Sequence, residues 1–279
     1  VFGARGYIGL ELTLYGPSRP LHSGHYGNWA PNPAALLAQV LASMRGPDGE
    51  ILIQGFAQDV RQLSASEHRA AAALPPVEDD LRRELAIGWS EGKGERLQEL
   101  VMRPALNVHG LRSAQVGAQA RAAIPTDAAA SLDFRLVPDQ TPERVHEQVE
   151  EHLRRLGFFV VHGEPDAATR LAHGKVARLD WAAGGYPGAR TAMDLPASRA
   201  VTEAVEEGIG GPVLQVPMLG GSIPIYLFGE IMKVPVIAVP IVNHDNSQHA
   251  ADENLRLQNL WDGIEVFAAL FARLDADWR

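Results

Sequence analysis

Alternation of apolar and polar residues is the first signal along this chain. Ile8, Leu10, Leu12 and Leu14 share one face of an extended stretch that ends at Gly16-Pro17, which predicts a strand with one buried face. A glycine- and proline-rich loop carrying His22 and His25 follows. Asn32-Pro33 then supplies an N-cap and a first-turn proline for a helix in which Leu37, Val40, Leu41 and Met44 recur at helical spacing, and Gly46-Pro47 stops it. A short strand is expected over 51–56 and a helix over 64–88, broken at Pro75-Pro76, whereas 89–103 carries little periodicity. Strands follow at 105–109 and 127–137. In the second, Ala128, Ala130, Leu132, Phe134 and Leu136 share one face and leave Ser131, Asp133 and Arg135 on the other. Thr141-Pro142 opens a helix with Val145, Val149, Leu153 and Leu156 in one stripe; Gly157 closes it before a strand at 158–161.

The repeated β-α-β order predicts a ferredoxin-like α+β unit over 6–162. From 163 to 195 glycine, proline and charge dominate, as in a connection to a second, α/β unit over 163–279. Residues 216–257 organise that second unit. Gly220 and Gly221 let backbone approach a ligand, Ser222 is placed to cap a following helix and Pro224 suits its first turn, so these residues read as a pocket floor for a carboxylate or oxyanion. The apolar run 234–242 reads as a strand buried on both faces. Polar residues arrive together at 244–249, at the strand's C-terminal end, where open α/β sheets bind ligands, and Asp252 and Glu253 open the last helix. Taken singly, a Gly-Gly-Ser turn is a turn and cap, and His249 is a loop histidine.

Composition narrows the partners. A chain of 279 residues that is 46% hydrophobic and 21% charged has room for two cores. Its net charge of −9 and the lack of any basic run argue against nucleic acid or an anionic membrane surface. No apolar run approaches the ~20 residues that cross a bilayer, and no signal peptide is evident. With no cysteine there are no disulfides, thiolate ligands or thiol nucleophiles, which is compatible with a cytoplasmic location. Val1 leads straight into a strand pattern, so the chain reads as entered in mid-fold.

LHSGHYGN with the NP after it, PALNVHG, AAIPTDAAASLDFRLVPDQTPE, GGSIP and HAADENL stand in an order that resembles the zinc metallopeptidases that include carnosinase-type dipeptidases, aminoacylases and glutamate carboxypeptidases. The resemblance spans nearly the whole chain. It implies a lid or dimerisation domain for the first three motifs and the C-terminal part of the catalytic domain for the last two. It also implies a homodimer through the lid, with His22 delivered to the neighbouring subunit's site as a donor toward the carbonyl oxygen. Arg135 would clamp the substrate's carboxylate, with Asn107, Gly220, Gly221 and Ser222 as further substrate contacts, and His249 would be a zinc ligand. In the complete enzymes two zinc ions polarise the scissile carbonyl and lower the pKa of water from about 15.7 toward ~7.

The departures matter equally. The family's His-x-Asp motif, bridging Asp and Glu-Glu pair are missing, and a catalytic zinc needs about three protein ligands. Glu206-Glu207 and Glu150-Glu151 fall within helical patterns and are solvated helix positions. Ala122 replaces a threonine and Ala197 a histidine of carnosinase-type members, which weakens a strict dipeptidase assignment. Two expectations result: a part of a metal-dependent hydrolase of small peptides or N-acyl amino acids, inactive alone, or a non-catalytic homologue that dimerises or binds small peptides.

Overall fold

The computed structural model describes residues 1–277 and divides into two compact units. In chain order the strands are β1 Gly3–Tyr15, β2 Leu21–His22, β3 Ala105–Arg112, β4 Ala123–Ile124, β5 Asp127–Leu136, β6 Phe159–Val161, β7 Val176–Trp181, β8 Ala189–Arg190 and β9 Leu219–Ser222. The helices are α1 Ser23–Tyr26, α2 Pro33–Met44, α3 Ala65–Ala73, α4 Glu78–Glu84, α5 Leu97–Leu100, α6 Pro142–Arg155, α7 Ala167–Ala172, α8 Pro196–Ile209 and α9 Leu257–Asp277. One unit comprises Arg5–Arg61 and Glu78–Gly188; the other comprises Val1–Ala4, Gln62–Val77 and Ala189–Arg279.

In the first unit the sheet runs β3-β5-β1-β7-β6. The β1–β5 ladder sets Ile8 opposite Phe134, Leu10 opposite Leu132, Leu12 opposite Ala130 and Leu14 opposite Ala128. These residues are buried against Leu37, Val40 and Met44 of α2 and Val145, Val149 and Leu153 of α6. Two helices therefore cover one sheet face, as the apolar stripes foretold. Both helices are capped as their sequences dictate: Asn32 accepts from the Ala34 and Ala35 amides, and Thr141 from Arg144.

Two readings change here. The segment expected as a strand at 51–56 forms turns, with only an isolated Arg45–Ile51 bridge. Gly55 has φ +81°, and the turns drop Ile53 and Phe56 into the core, while Gln148 and Gln140 donate to the carbonyls of Gly55 and Phe56. The supposed connection after 162 contains α7 and β7. Strand β7 lies antiparallel to β1 and parallel to β6, so this unit extends to Gly188 instead of ending at 162, and Gln62–Val77 belongs with the other unit.

In the second unit Gly3 and Ala4 pair with β8, and α8 packs on α9 through Ala204, Val205, Val266 and Leu270. A capping box at Ser64 and Glu67 starts α3, and Glu67 also forms a buried ion pair with Arg190 at 2.5 Å. The expected strand at 234–242 is irregular and only partly buried. Its backbone is held at scattered points: Ala238 exchanges bonds with the Val1 backbone, Val236 exchanges bonds with the Thr191 hydroxyl, and the Val234 amide donates to the Phe228 carbonyl, where a buried strand needs a continuous ladder. The last helix begins at Leu257, not at Asp252, because the loop before it is gathered around buried Asn243, which donates to Asp245 and Asn254 and accepts from the Arg256 amide. The final two residues of the expected span 163–279 lie outside the described residues.

Leu12→Ala is expected to destabilise the first unit by about 3 kcal/mol through cavity formation. Removing the cap with Asn32→Ala should cost about 1 kcal/mol. Urea unfolding followed by far-ultraviolet circular dichroism measures both; equal losses would contradict the core assigned to Leu12.

Candidate functional site

The sheet face away from α2 and α6 carries the polar members of the same alternation. Tyr7 lies opposite Arg135 and Gly9 opposite Asp133 on the β1 side, and Asn107 lies opposite Asp133 on the β3 side. Asp133 is fully buried. Its Oδ1 accepts from Asn107 Nδ2 at 2.7 Å and lies 3.3 Å from His109 Nε2. Its Oδ2 meets Arg135 Nη2 at 2.8 Å as an ion pair. The Arg135 guanidinium also sits over the Tyr7 ring, 5.1 Å from its centroid, and its side chain keeps 28% of its exposure. Glycine at position 9 makes room for this packing, since a Cβ there would meet the Tyr7 hydroxyl at 2.9 Å.

Arg5 adds a second guanidinium. Burial, reinforced by the charge of Arg135, holds its pKa below the ordinary arginine value, and Asp133 opposes that shift. Burial also raises the Tyr186 hydroxyl, an effect Arg135 counteracts and Tyr7 reinforces. Arg5 and Arg135 thus flank the one buried carboxylate, and a guanidinium is the group best shaped to grip a further carboxylate.

Asn107 and Arg135 are thus brought together, through Asp133. The polar alternation of Ser131, Asp133 and Arg135 marks this face, but not the full burial of Asp133. Arg5, Tyr7, His109 and Tyr186 are not among the expected site residues. Arg5 and Tyr7 share the period-two alternation of β1, whereas His109 sits at a register shift of β3 and Tyr186 joins through an isolated bridge to Tyr7.

His22 lies elsewhere in this unit, on the two-stranded β2–β4 sheet, where it pairs with Ala123. It is the N-cap of the one-turn helix α1: Nδ1 accepts from the Gly24 amide at 3.1 Å, and the neutral ring therefore carries its proton on Nε2. The His25 ring is 4.6 Å away.

Gly220, Gly221 and Ser222 belong to β9 and make no turn. Ser222 does not cap the next helical segment, a π-helical turn at Leu227–Ile231, because the strand continues through Ser222 and the turn starts beyond Pro224 with Tyr226 as its N-cap. His249 is exposed in a loop, with φ +62°. Among the described residues no group of three or more His, Cys, Asp or Glu is placed to hold a metal. Glu206 and Glu207 end α8, Glu206 accepting from the Val213 amide and Glu207 pairing with Arg273. A cavity of about 270 Å³ lined by Arg190, Thr191, Lys233 and Val236 contains none of the expected site residues. Among the described residues no helix is long and apolar enough to cross a membrane.

The helix-backed sheet and the second unit have the fold seen in M20 metallopeptidases. The peptidase dimerisation domain family of the M20 peptidases matches residues 2–158, and the chain belongs to it. Over 269 residues it is 27% identical to the Cys-Gly metallodipeptidase of Schizosaccharomyces pombe, an alignment covering 95% of this chain and 54% of that protein. Over 283 residues it is 25% identical to the human Beta-Ala-His dipeptidase, covering 98% of this chain and 52% of that one. The crystal structure of an M20 family metallo-carboxypeptidase from Sulfolobus solfataricus superposes with a TM-score of 0.80 at 25% identity, covering 98% of this chain and 59% of the other. The chain spans about half the length of the curated relatives it matches.

Arg135→Met leaves a buried carboxylate without its cation and is expected to destabilise the protein by roughly 3 kcal/mol, whereas adding Asp133→Asn should recover part of that loss. Chemical denaturation of the two single variants and the double variant reads the coupling. Strictly additive losses would show that the pair does not interact.

Proposed function

We propose that this chain forms the dimerising lid and part of the catalytic domain of a metal-dependent hydrolase acting on peptide or N-acyl amino-acid amide bonds. One observation carries the reading: Arg135 and Asn107 converge on Asp133 on one sheet face, in a chain whose relatives include a Cys-Gly metallodipeptidase and a Beta-Ala-His dipeptidase. The bond cleaved in such a substrate lies next to a free carboxylate. Arg135 receives that carboxylate, and Asn107 hydrogen-bonds the same end of the ligand. Backbone at Gly220 and Gly221, with the Ser222 hydroxyl, is a further contact of this reading, to a carboxylate or oxyanion.

Zinc is the metal this reading implies, in a pair of ions when the site is complete, with His249 as one ligand. The described residues do not fit a zinc site by themselves: His249 is exposed and no acidic or histidine cluster joins it. The other ligands therefore come from outside these residues, and no step is drawn through the metal. His22 acts on a neighbouring subunit's substrate across a two-fold homodimer, its Nε2 proton directed at the carbonyl oxygen. One such donor is worth about 3 kcal/mol when negative charge develops there. The glycine- and proline-rich loop around His22 suits a side chain that reaches out of its own unit. A non-catalytic homologue that binds small peptides is the second reading, favoured by the same missing ligand cluster.

The 279-residue chain alone is expected to bind zinc weakly and to hydrolyse no dipeptide; isothermal titration with zinc and a ninhydrin assay test this, and robust zinc-dependent hydrolysis would sink it. In a preparation that includes the remaining metal ligands, mixing His22→Ala subunits with His249→Ala subunits should restore activity, because one hybrid site then holds both histidines. Verified heterodimers without recovery would exclude action between subunits.

A further inference from the structure

Asp133 has no assigned task on the sheet face, yet it meets Asn107, His109 and Arg135. Its side chain is fully buried, and burying an ionised carboxylate is costly unless its oxygens are matched. Here the two oxygens are divided between different partners. Oδ1 faces Asn107 at 2.7 Å and His109 at 3.3 Å on β3, and Oδ2 faces Arg135 at 2.8 Å on β5 itself. The Asn107 bond fixes the carboxylate's rotation, because Nδ2 is aimed at one oxygen and the other is thereby turned toward the guanidinium. Arg135 is then held from two directions, at one edge by Asp133 and at one face by the Tyr7 ring 5.1 Å away. Among the described residues Oδ2 has no aligned hydrogen bond, so its contact with Arg135 is one of charge and leaves the fork geometry of the guanidinium unspent on it.

We infer that Asp133 is a positioning residue: it aims Arg135 at the carboxylate end of a small ligand, and Asn107 serves it by setting its rotation. This rests on the reading of Arg135 as the carboxylate clamp. A long, flexible arginine gains most from such support, since fixing its rotamers in advance removes entropy that a ligand would otherwise have to offset. The support comes from strands, which are stiffer than the loop that carries His249.

The test uses the full 279-residue chain and a probe pair, glycylglycine and glycylglycine amide, titrated by NMR. Arg135→Lys checks the underlying reading and Asp133→Asn checks the inference. The expected result is a preference for the free carboxylate in the unsubstituted protein that falls about tenfold in both variants, with amide binding unchanged. If Arg135→Lys lowers the preference and a folded Asp133→Asn does not, Asp133 is not a positioning residue and the clamp still stands. If Arg135→Lys leaves the preference intact, or the unsubstituted chain has none, the clamp falls and the inference with it. A measurement on the unsubstituted chain covers the case in which Asp133→Asn does not fold. Rotation about the Cζ–Nε bond of Arg135, read from its guanidinium 15N signals, should be at least tenfold slower than that of exposed Arg19. Equal rotation rates would overturn the inference.

Discussion

The pairing of β1 with β5 is the constraint on which the first unit depends. One register decides both faces, because side chains alternate along a strand and a slip of one residue would exchange them. With Ile8 set against Phe134, Leu10, Leu12 and Leu14 turn with Ala128, Ala130, Leu132 and Leu136 toward α2 and α6, and Tyr7, Gly9, Asp133 and Arg135 are forced together on the opposite side. The core and the candidate site are therefore two results of one alignment. The hydrophobic residues supply the driving force, and the polar ones are placed by it.

Much of this was legible because the signals were local and redundant. The alternation at 8–14 and 128–136, the Asn32-Pro33 and Thr141-Pro142 caps and the stripes of α2 and α6 each state a structure within a few residues, and each formed. The misses have a common cause. At 51–56 the apolar residues suited a strand, but Gly55 bends the chain and Ile53 and Phe56 reach the core from a loop. Strand β7 is short, and its Arg178 and Asp180 hid the alternation of Ala177 and Leu179. The run at 234–242 is apolar enough for a buried strand, but strandness depends on a ladder that only neighbouring chain can provide. In each case the decisive partner was distant in sequence.

The site followed the same rule. Arg135, Asn107, His22 and His249 were singled out from motif alone, and the structure brings the first two together. Asp133 was not, since a carboxylate two residues from an arginine looks like a solvated pair until the neighbouring strands bury it. The Gly220-Gly221-Ser222 stretch shows the converse error: residues that favour a turn and cap also tolerate an extended strand, and pairing decided between them.

The order of the sheet also bears on how the chain comes into being. Strand β1 is made before both β5 and β7, the neighbours that flank it along most of its length, and these are encoded far downstream. Contacts between such distant segments close late, after most of the chain has been synthesised. Until then Ile8, Leu10, Leu12 and Leu14 remain an uncovered apolar ribbon with open backbone edges, the kind of surface that chaperones hold and that stray strands join. The alignment that brings Asp133, Arg135 and Asn107 together in the finished protein thus leaves β1 a vulnerable part of the nascent one.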